Sequence, residues 1–138
     1  MNKFARGFSL IEMMVVVAIV GILTAIALPS YRDHVTRARL TDAFSGLATI
    51  PAQMEQYWPT GRTFENFDRM PADTVNFTFR LTSASQTAYT VTATGVGNAA
   101  GFVYTIDQSG ARATTSVPSG WTANSSCWVD GKGGTCTQ

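Results

Sequence analysis

A carboxylate stands at the threshold of an apolar segment in this chain. Between Met13 and Leu28 only Gly21 and Thr24 fall outside the apolar set, and the residue before the run is Glu12. As an α-helix, residues 8–28 would span about 31 Å, enough to cross the hydrocarbon core of a bilayer. A helix apolar on every side does not sit on the surface of a soluble fold; it needs lipid or other apolar helices around it. A charge inside such a segment costs roughly 2.5–3.5 kcal/mol on insertion scales, so Glu12 marks a functional position that needs a partner. Lys3 and Arg6 precede the run, which favours an inside amino terminus and an exported remainder. After the run Ala25-Ile26-Ala27 is only a faint match to a small-residue signal cleavage site, so Gly7 is the better place to cut. A plain signal anchor would explain the length and the basic flank, but not Glu12.

Cleavage after Gly7 would put an ammonium on Phe8. Glu12 then has two routes to a partner. One, not easily reached in an isolated helix, is a capping-like contact with its own Phe8 amine one turn away. The other is the Phe8 amine of a neighbouring subunit inside a dry helical bundle, where opposite charges attract strongly and set axial register.

The 138 residues suit one domain plus attachments. Removing residues 1–7 takes Lys3 and Arg6 from the 10 basic residues, leaving 8 against 9 acidic, a net charge of −1. That balance predicts no general affinity for nucleic acid or anionic surfaces. Cys127 and Cys136 make a weak metal site, because structural zinc takes four ligands and His34 is distant in sequence. A disulfide is the preferred reading, since the amino terminus implies export to an oxidising compartment; two free buried thiols are the alternative.

Beyond Pro29 the helical period continues. Tyr31, Val35 and Ala38 share a face, and Leu40, Phe44, Leu47, Met54 and Tyr57 extend a drifting apolar stripe. Gly21 and Pro29 bracket a weak stretch where a kink or local unwinding is expected, and Pro51 predicts a bend or a fresh turn. Arg32, Arg37 and Arg39 read as a solvated face with local ion pairs; contact with nucleic acid or lipid headgroups is the alternative. His34 reads as a surface histidine. Residues 57–74 are expected to be a loop. Alternation then predicts strands at 75–82, with Val75, Phe77, Phe79 and Leu81 on one face, and at 89–94, 102–106 and 111–115. The expected fold is α+β: a long amino-terminal helix packed on an antiparallel sheet of about four strands. The glycine-rich stretch 127–136 reads as a turn between two short strands, since no helix or phosphate-binding pattern follows it.

The pattern Gly7-Phe8-Ser9-Leu10-Ile11-Glu12 with its apolar run resembles the amino-terminal signature of type IV pilins and related prepilins. The segment Thr105-Ile106-Asp107-Gln108-Ser109-Gly110 and the Cys-Trp…Lys-Gly-Gly…Cys tail look most like small PilE-type minor pilins of the type IVa group. The resemblance implies a leader at 1–7 removed by a prepilin peptidase between Gly7 and Phe8, and N-methylation of Phe8. It implies a membrane and filament-core helix at 8–28 and a periplasmic globular domain at 29–138. Glu12 would serve subunit assembly, Gly21 and Pro29 would mark the helix kink, and Cys127–Cys136 would bound the carboxyl-terminal disulfide loop. The subunit would sit in the inner membrane, pass through a pilus assembly platform and reach the cell surface in a fimbrial filament with other pilins. Adhesion, twitching motility and DNA uptake follow as family roles.

Two other functions share the leader. A type II secretion pseudopilin is one, although the terminal disulfide loop weighs against it. A DNA-binding minor pilin acting as a competence receptor is the other; its contacts would come from Arg80, Arg112 and Lys132, with Arg62 and Arg69 the other basic residues of the globular part. The spacing supports no catalytic Ser/His/acid set, so no enzyme, cofactor or metal is expected; Asp130 lacks the dense carboxylate loop that calcium takes. Asn76-Phe77-Thr78 and Asn124-Ser125-Ser126 match the short glycosylation sequon.

Overall fold

The structure is a computed structural model that describes residues 8–136. One helix, α1 (Leu10–Gly61), precedes four strands: β1 (Phe77–Ala84), β2 (Tyr89–Gly95), β3 (Val103–Asp107) and β4 (Arg112–Ser116). The strands form one antiparallel sheet in the order β1-β2-β3-β4. Contacts divide the chain into two units that meet between Val35 and Thr36.

In the first unit every described side chain through residue 32 is exposed. Helix α1 begins here and is long and apolar enough to cross a membrane, with a window of mean hydropathy 2.6. The helical assignment runs through Pro29.

The second unit carries the core. Leu40, Ala43, Leu47, Ile50 and Met54 of α1 are buried, recurring at the three- and four-residue steps of one helix face. They meet the inner face of the sheet, where Phe77, Phe79, Val91, Ala93, Tyr104 and Ile106 are buried. Gly46 matters to this packing, because a Cβ there would overlap the Phe79 ring. The opposite face carries Thr78, Arg80, Thr92 and Thr105, in register with Thr94, Thr92, Arg80 and Thr92 respectively.

Several expected element bounds are corrected. The helix is not interrupted at Pro51 and does not end at Tyr57; it continues through Pro59 to Gly61. A helical proline removes one backbone bond, and tertiary contacts on both sides outweigh that loss. Ile50 and Met54 flank Pro51 in the core. Around Pro59, the Tyr57 hydroxyl donates to the Glu65 carbonyl at 3.0 Å and the Trp58 indole donates to the Gln86 carbonyl at 3.0 Å. The helix closes at Arg62, whose N–H donates to the Trp58 carbonyl at 2.7 Å and whose left-handed φ of 53° turns the chain out of the helix.

The first strand starts at Phe77, not at residue 75, and Val75 is 87% exposed. The Thr74 hydroxyl accepts the N–H groups of Asn76 (3.2 Å) and Phe77 (3.0 Å), and this side-chain turn replaces the first ladder bonds. Leu81 is only half-buried, because the register shifts between Leu81 and Ser83.

Candidate functional site

The amino-terminal end of α1 holds the first candidate group. The Glu12 N–H donates to the Ser9 hydroxyl at 3.3 Å, and the Ser9 N–H donates to the Glu12 carboxylate at 3.4 Å. This is a capping box: two N–H groups that the helix leaves orphaned are satisfied reciprocally, and an anion sits at the positive end of the helix dipole. The Glu12 carboxylate thus caps its own helix through the Ser9 N–H. Phe8 is exposed beside it; Gly7 and the leader at 1–7 lie outside the described residues. Further along, a Cβ at Gly21 would enter open space. The Thr24 hydroxyl donates to the carbonyls of Val20 (2.7 Å) and Gly21 (3.1 Å). Pro29 has no N–H for the carbonyl one turn before it.

The second candidate is the carboxyl-terminal loop. Cys127 and Cys136 are joined by a disulfide with their Cα atoms 6.2 Å apart. The loop's first half is anchored in the core. Trp128 and Val129 are buried, and the Trp128 ring stacks on Phe44 of α1 at 5.7 Å. The Trp128 indole donates to the Thr105 carbonyl at 2.8 Å, and the buried Tyr104 hydroxyl donates to the Val129 carbonyl at 2.8 Å. Burial first, and the nearby Asp130 charge second, push the Tyr104 phenol far above its ordinary range. Thr114, buried on β4, is the hub. Its hydroxyl donates to the Cys127 carbonyl at 2.8 Å and accepts the Val129 N–H at 2.9 Å. Its own N–H donates to the Asn124 carbonyl at 2.7 Å.

Basic side chains gather around this loop. The Arg112 guanidinium lies 4.4 Å from the centre of the Trp128 ring, a cation–π contact that holds it against the domain. Lys132 is exposed within the loop itself. Arg37 approaches from α1, its Nη2 standing 3.7 Å from where a Gly131 Cβ would be. Arg112, Lys132 and Arg37 thus border one surface over residues 128–132.

Arg80 does not join them. It stands on β1, at the opposite edge of the sheet from Arg112 on β4. It forms a two-pronged pair with Asp73, both bonds 2.9 Å, and also donates to the Phe79 carbonyl at 2.6 Å. Hydrogen bonding within the pair holds the Asp73 carboxyl below its usual range and the Arg80 guanidinium above its own. Of the three basic candidates, Arg112 and Lys132 thus lie at this loop and Arg80 lies apart in an ion pair, while Arg37 is a further cation beside the loop. The solvated-face reading of Arg37 does not place it beside this loop. Arg37 and Phe44 are seven residues apart, hence on one helix face, but no sequence pattern showed that the disulfide loop crosses that face.

Both sequon asparagines are engaged in the fold. The Asn76 amide donates to the Asp42 carboxylate at 2.8 Å, and the Asn124 amide donates to the Gly134 carbonyl at 3.1 Å. Among the described residues, no group of three or more His, Cys, Asp or Glu side chains is placed to hold a metal ion.

With this geometry in view, comparisons with known proteins place the chain. Residues 29–103 match the family described as type IV minor pilin ComP, DNA uptake sequence receptor, and residues 2–28 match the prokaryotic N-terminal methylation motif. The chain belongs to that minor pilin family. It is 41% identical over 71 residues to a fimbrial protein of Moraxella nonliquefaciens, covering 51% of this chain and 46% of the relative. It is 38% identical over 79 residues to the type IV major pilin protein PilE1 of Neisseria gonorrhoeae, covering 53% of this chain and 48% of the relative. The chain thus spans about half the length of these curated relatives. Among solved structures, the non-core minor pilin PilV of Neisseria meningitidis shares the fold, with a TM-score of 0.55 and 22% identity over 62% of this chain and 91% of that one.

Proposed function

We propose that this chain is a minor subunit of a type IV pilus that captures DNA on the surface around its disulfide loop. The observation that carries the reading is the family match across residues 29–103. The convergence of Arg37, Arg112 and Lys132 supports it by offering a local basic surface on a chain with a nearly balanced total charge. Phosphate contacts of this kind supply affinity without base readout.

The amino-terminal half of the reading covers delivery. A prepilin peptidase removes residues 1–7 after Gly7, and Phe8 becomes the methylated amino terminus. Residues 8–28 hold the subunit in the inner membrane with residues 29–138 in the periplasm. An assembly platform then moves the subunit into a filament with other pilins, and the Glu12 carboxylate exchanges its own helix cap for the Phe8 amine of a neighbour. Gly21 and Pro29 supply the flexible stretch for that transfer. The exposed apolar helix and its capping box support this sequence of events.

The DNA reading is tested by equilibrium binding of a short duplex to the full chain in detergent micelles over a range of salt. Log affinity should fall linearly with log salt. Arg112→Ala, Lys132→Ala and Arg37→Ala should each reduce the slope by about 0.9, the share of one phosphate. Arg80→Ala should leave it unchanged. A chain that retains no duplex at low salt would overturn the DNA reading.

A further inference from the structure

The disulfide loop has two unlike halves. Residues 127–130 are fastened through side chains into the core: the Trp128 ring, the Val129 side chain and the Thr114 hub make that attachment without the bridge. Residues 131–136 carry backbone hydrogen bonds to the neighbouring segment, among them the Asn124 amide donating to the Gly134 carbonyl at 3.1 Å. The Thr122 N–H donates to the Lys132 carbonyl at 3.0 Å, and the Asp130 and Gly131 N–H groups donate to the Thr135 carbonyl at 3.0 and 3.2 Å. This half contains Gly131, Gly133 and Gly134, and glycine has the most conformational freedom to regain when a constraint is lifted. Lys132 sits in it.

We infer that the Cys127–Cys136 bridge is a positioning device for Lys132, holding this one cation beside Arg112 and Arg37, and not the element that keeps Trp128 and Arg112 in place. The ligand in this inference, a duplex polyphosphate backbone, rests on the DNA reading above. Opening the bridge takes a dithiol such as dithiothreitol: its two sulfurs join as a disulfide while Cys127 and Cys136 each gain a hydrogen. Residues 131–136 then leave the surface and take Lys132 with them, while Arg112 stays on Trp128.

The sequence offers a direct readout, because Lys3 and Lys132 are the only lysines and Lys3 lies within residues 1–7. A lysine-specific protease should cut the bridged full chain slowly after Lys132 and the dithiol-treated chain at least tenfold faster, with the tryptophan fine structure of the near-ultraviolet circular dichroism retained. Equal cleavage rates would overturn the inference, and so would loss of that tryptophan fine structure on reduction. Duplex binding gives the second arm. Cys127→Ser with Cys136→Ser should lower the salt slope by the amount that Lys132→Ala does. Adding Lys132→Ala to the bridgeless chain should cost nothing more, whereas adding Arg112→Ala should still cost its full share. A vanished Arg112 effect would show that the bridge holds the whole loop. If the wild-type chain binds no duplex, the DNA reading falls, and the cleavage rates alone decide whether the bridge positions Lys132.

Discussion

Leu10 and Leu23 expose 79% and 61% of their surface, whereas Leu40 and Leu47, on the same helix, expose none. Residue type and backbone are shared, so what differs is whether the chain supplies a partner. Residues 36–61 carry a stripe that meets the sheet within its own unit. Residues 13–28 form an apolar run exposed on all sides in theirs, so their burial has to come from a bilayer or from other helices. One helix thus serves a self-sufficient domain and a segment completed only by its surroundings.

The sharpest way to break this comparison is truncation of matched leucines. Leu47→Ala should destabilise the globular unit by about 2–5 kcal/mol, read by denaturant unfolding of the full chain in micelles. Leu23→Ala should leave that transition within about 0.5 kcal/mol of wild type. Matching losses would mean that the two units fold as one. Glycines offer the same contrast with opposite signs. Gly46→Ala should cost about 1–3 kcal/mol by driving a methyl into Phe79. Gly21→Ala meets open space and should stiffen its stretch of helix by about 1 kcal/mol, seen as slower amide exchange near residue 21.

Smaller effects sharpen the picture at each end. Tyr104→Phe leaves the buried Val129 carbonyl without its donor and should cost about 1–3 kcal/mol. Ser9→Ala removes one half of the capping box and should cost the helix end about 1 kcal/mol. Its mark is faster amide exchange at Ile11 and Glu12, with the globular transition unmoved. The smallest effect is on acid stability. Asp73 has a lowered folded pKa, so its stabilisation is complete above the ordinary carboxylate range and is lost as pH falls through the folded value beneath it. Asp73→Asn should flatten that limb of a stability–pH curve, only slightly, because the pair is exposed and screened.

Much of this was legible in the sequence. The stripe Leu40, Phe44, Leu47, Met54 and the alternation Phe77, Phe79 foretold the two faces of the core, because burial imposes those periods directly. The cysteine pair foretold its loop. What escaped the sequence depends on distant contacts. Helix α1 outlasts Pro51 because Ile50 and Met54 are packed in the core, and Pro59 because Tyr57 and Trp58 are tied to Glu65 and Gln86. Thr114 is a buried hub although Arg112, Thr115 and Ser116 of the same strand are polar and exposed. At the candidate site, Arg112 and Lys132 were singled out as basic residues and the fold brings them to one loop. Arg80 was lost to Asp73, seven residues away, and Arg37 was gained through a packing that only the folded chain reveals.

The central claim is that residues 8–28 are completed by other subunits after the leader is cut. The direct test is the intact mass of this chain recovered from sheared surface filaments. A subunit beginning at Phe8 and carrying one added methyl group would bear the account out. A chain found only in the membrane, with Met1 retained, would contradict it.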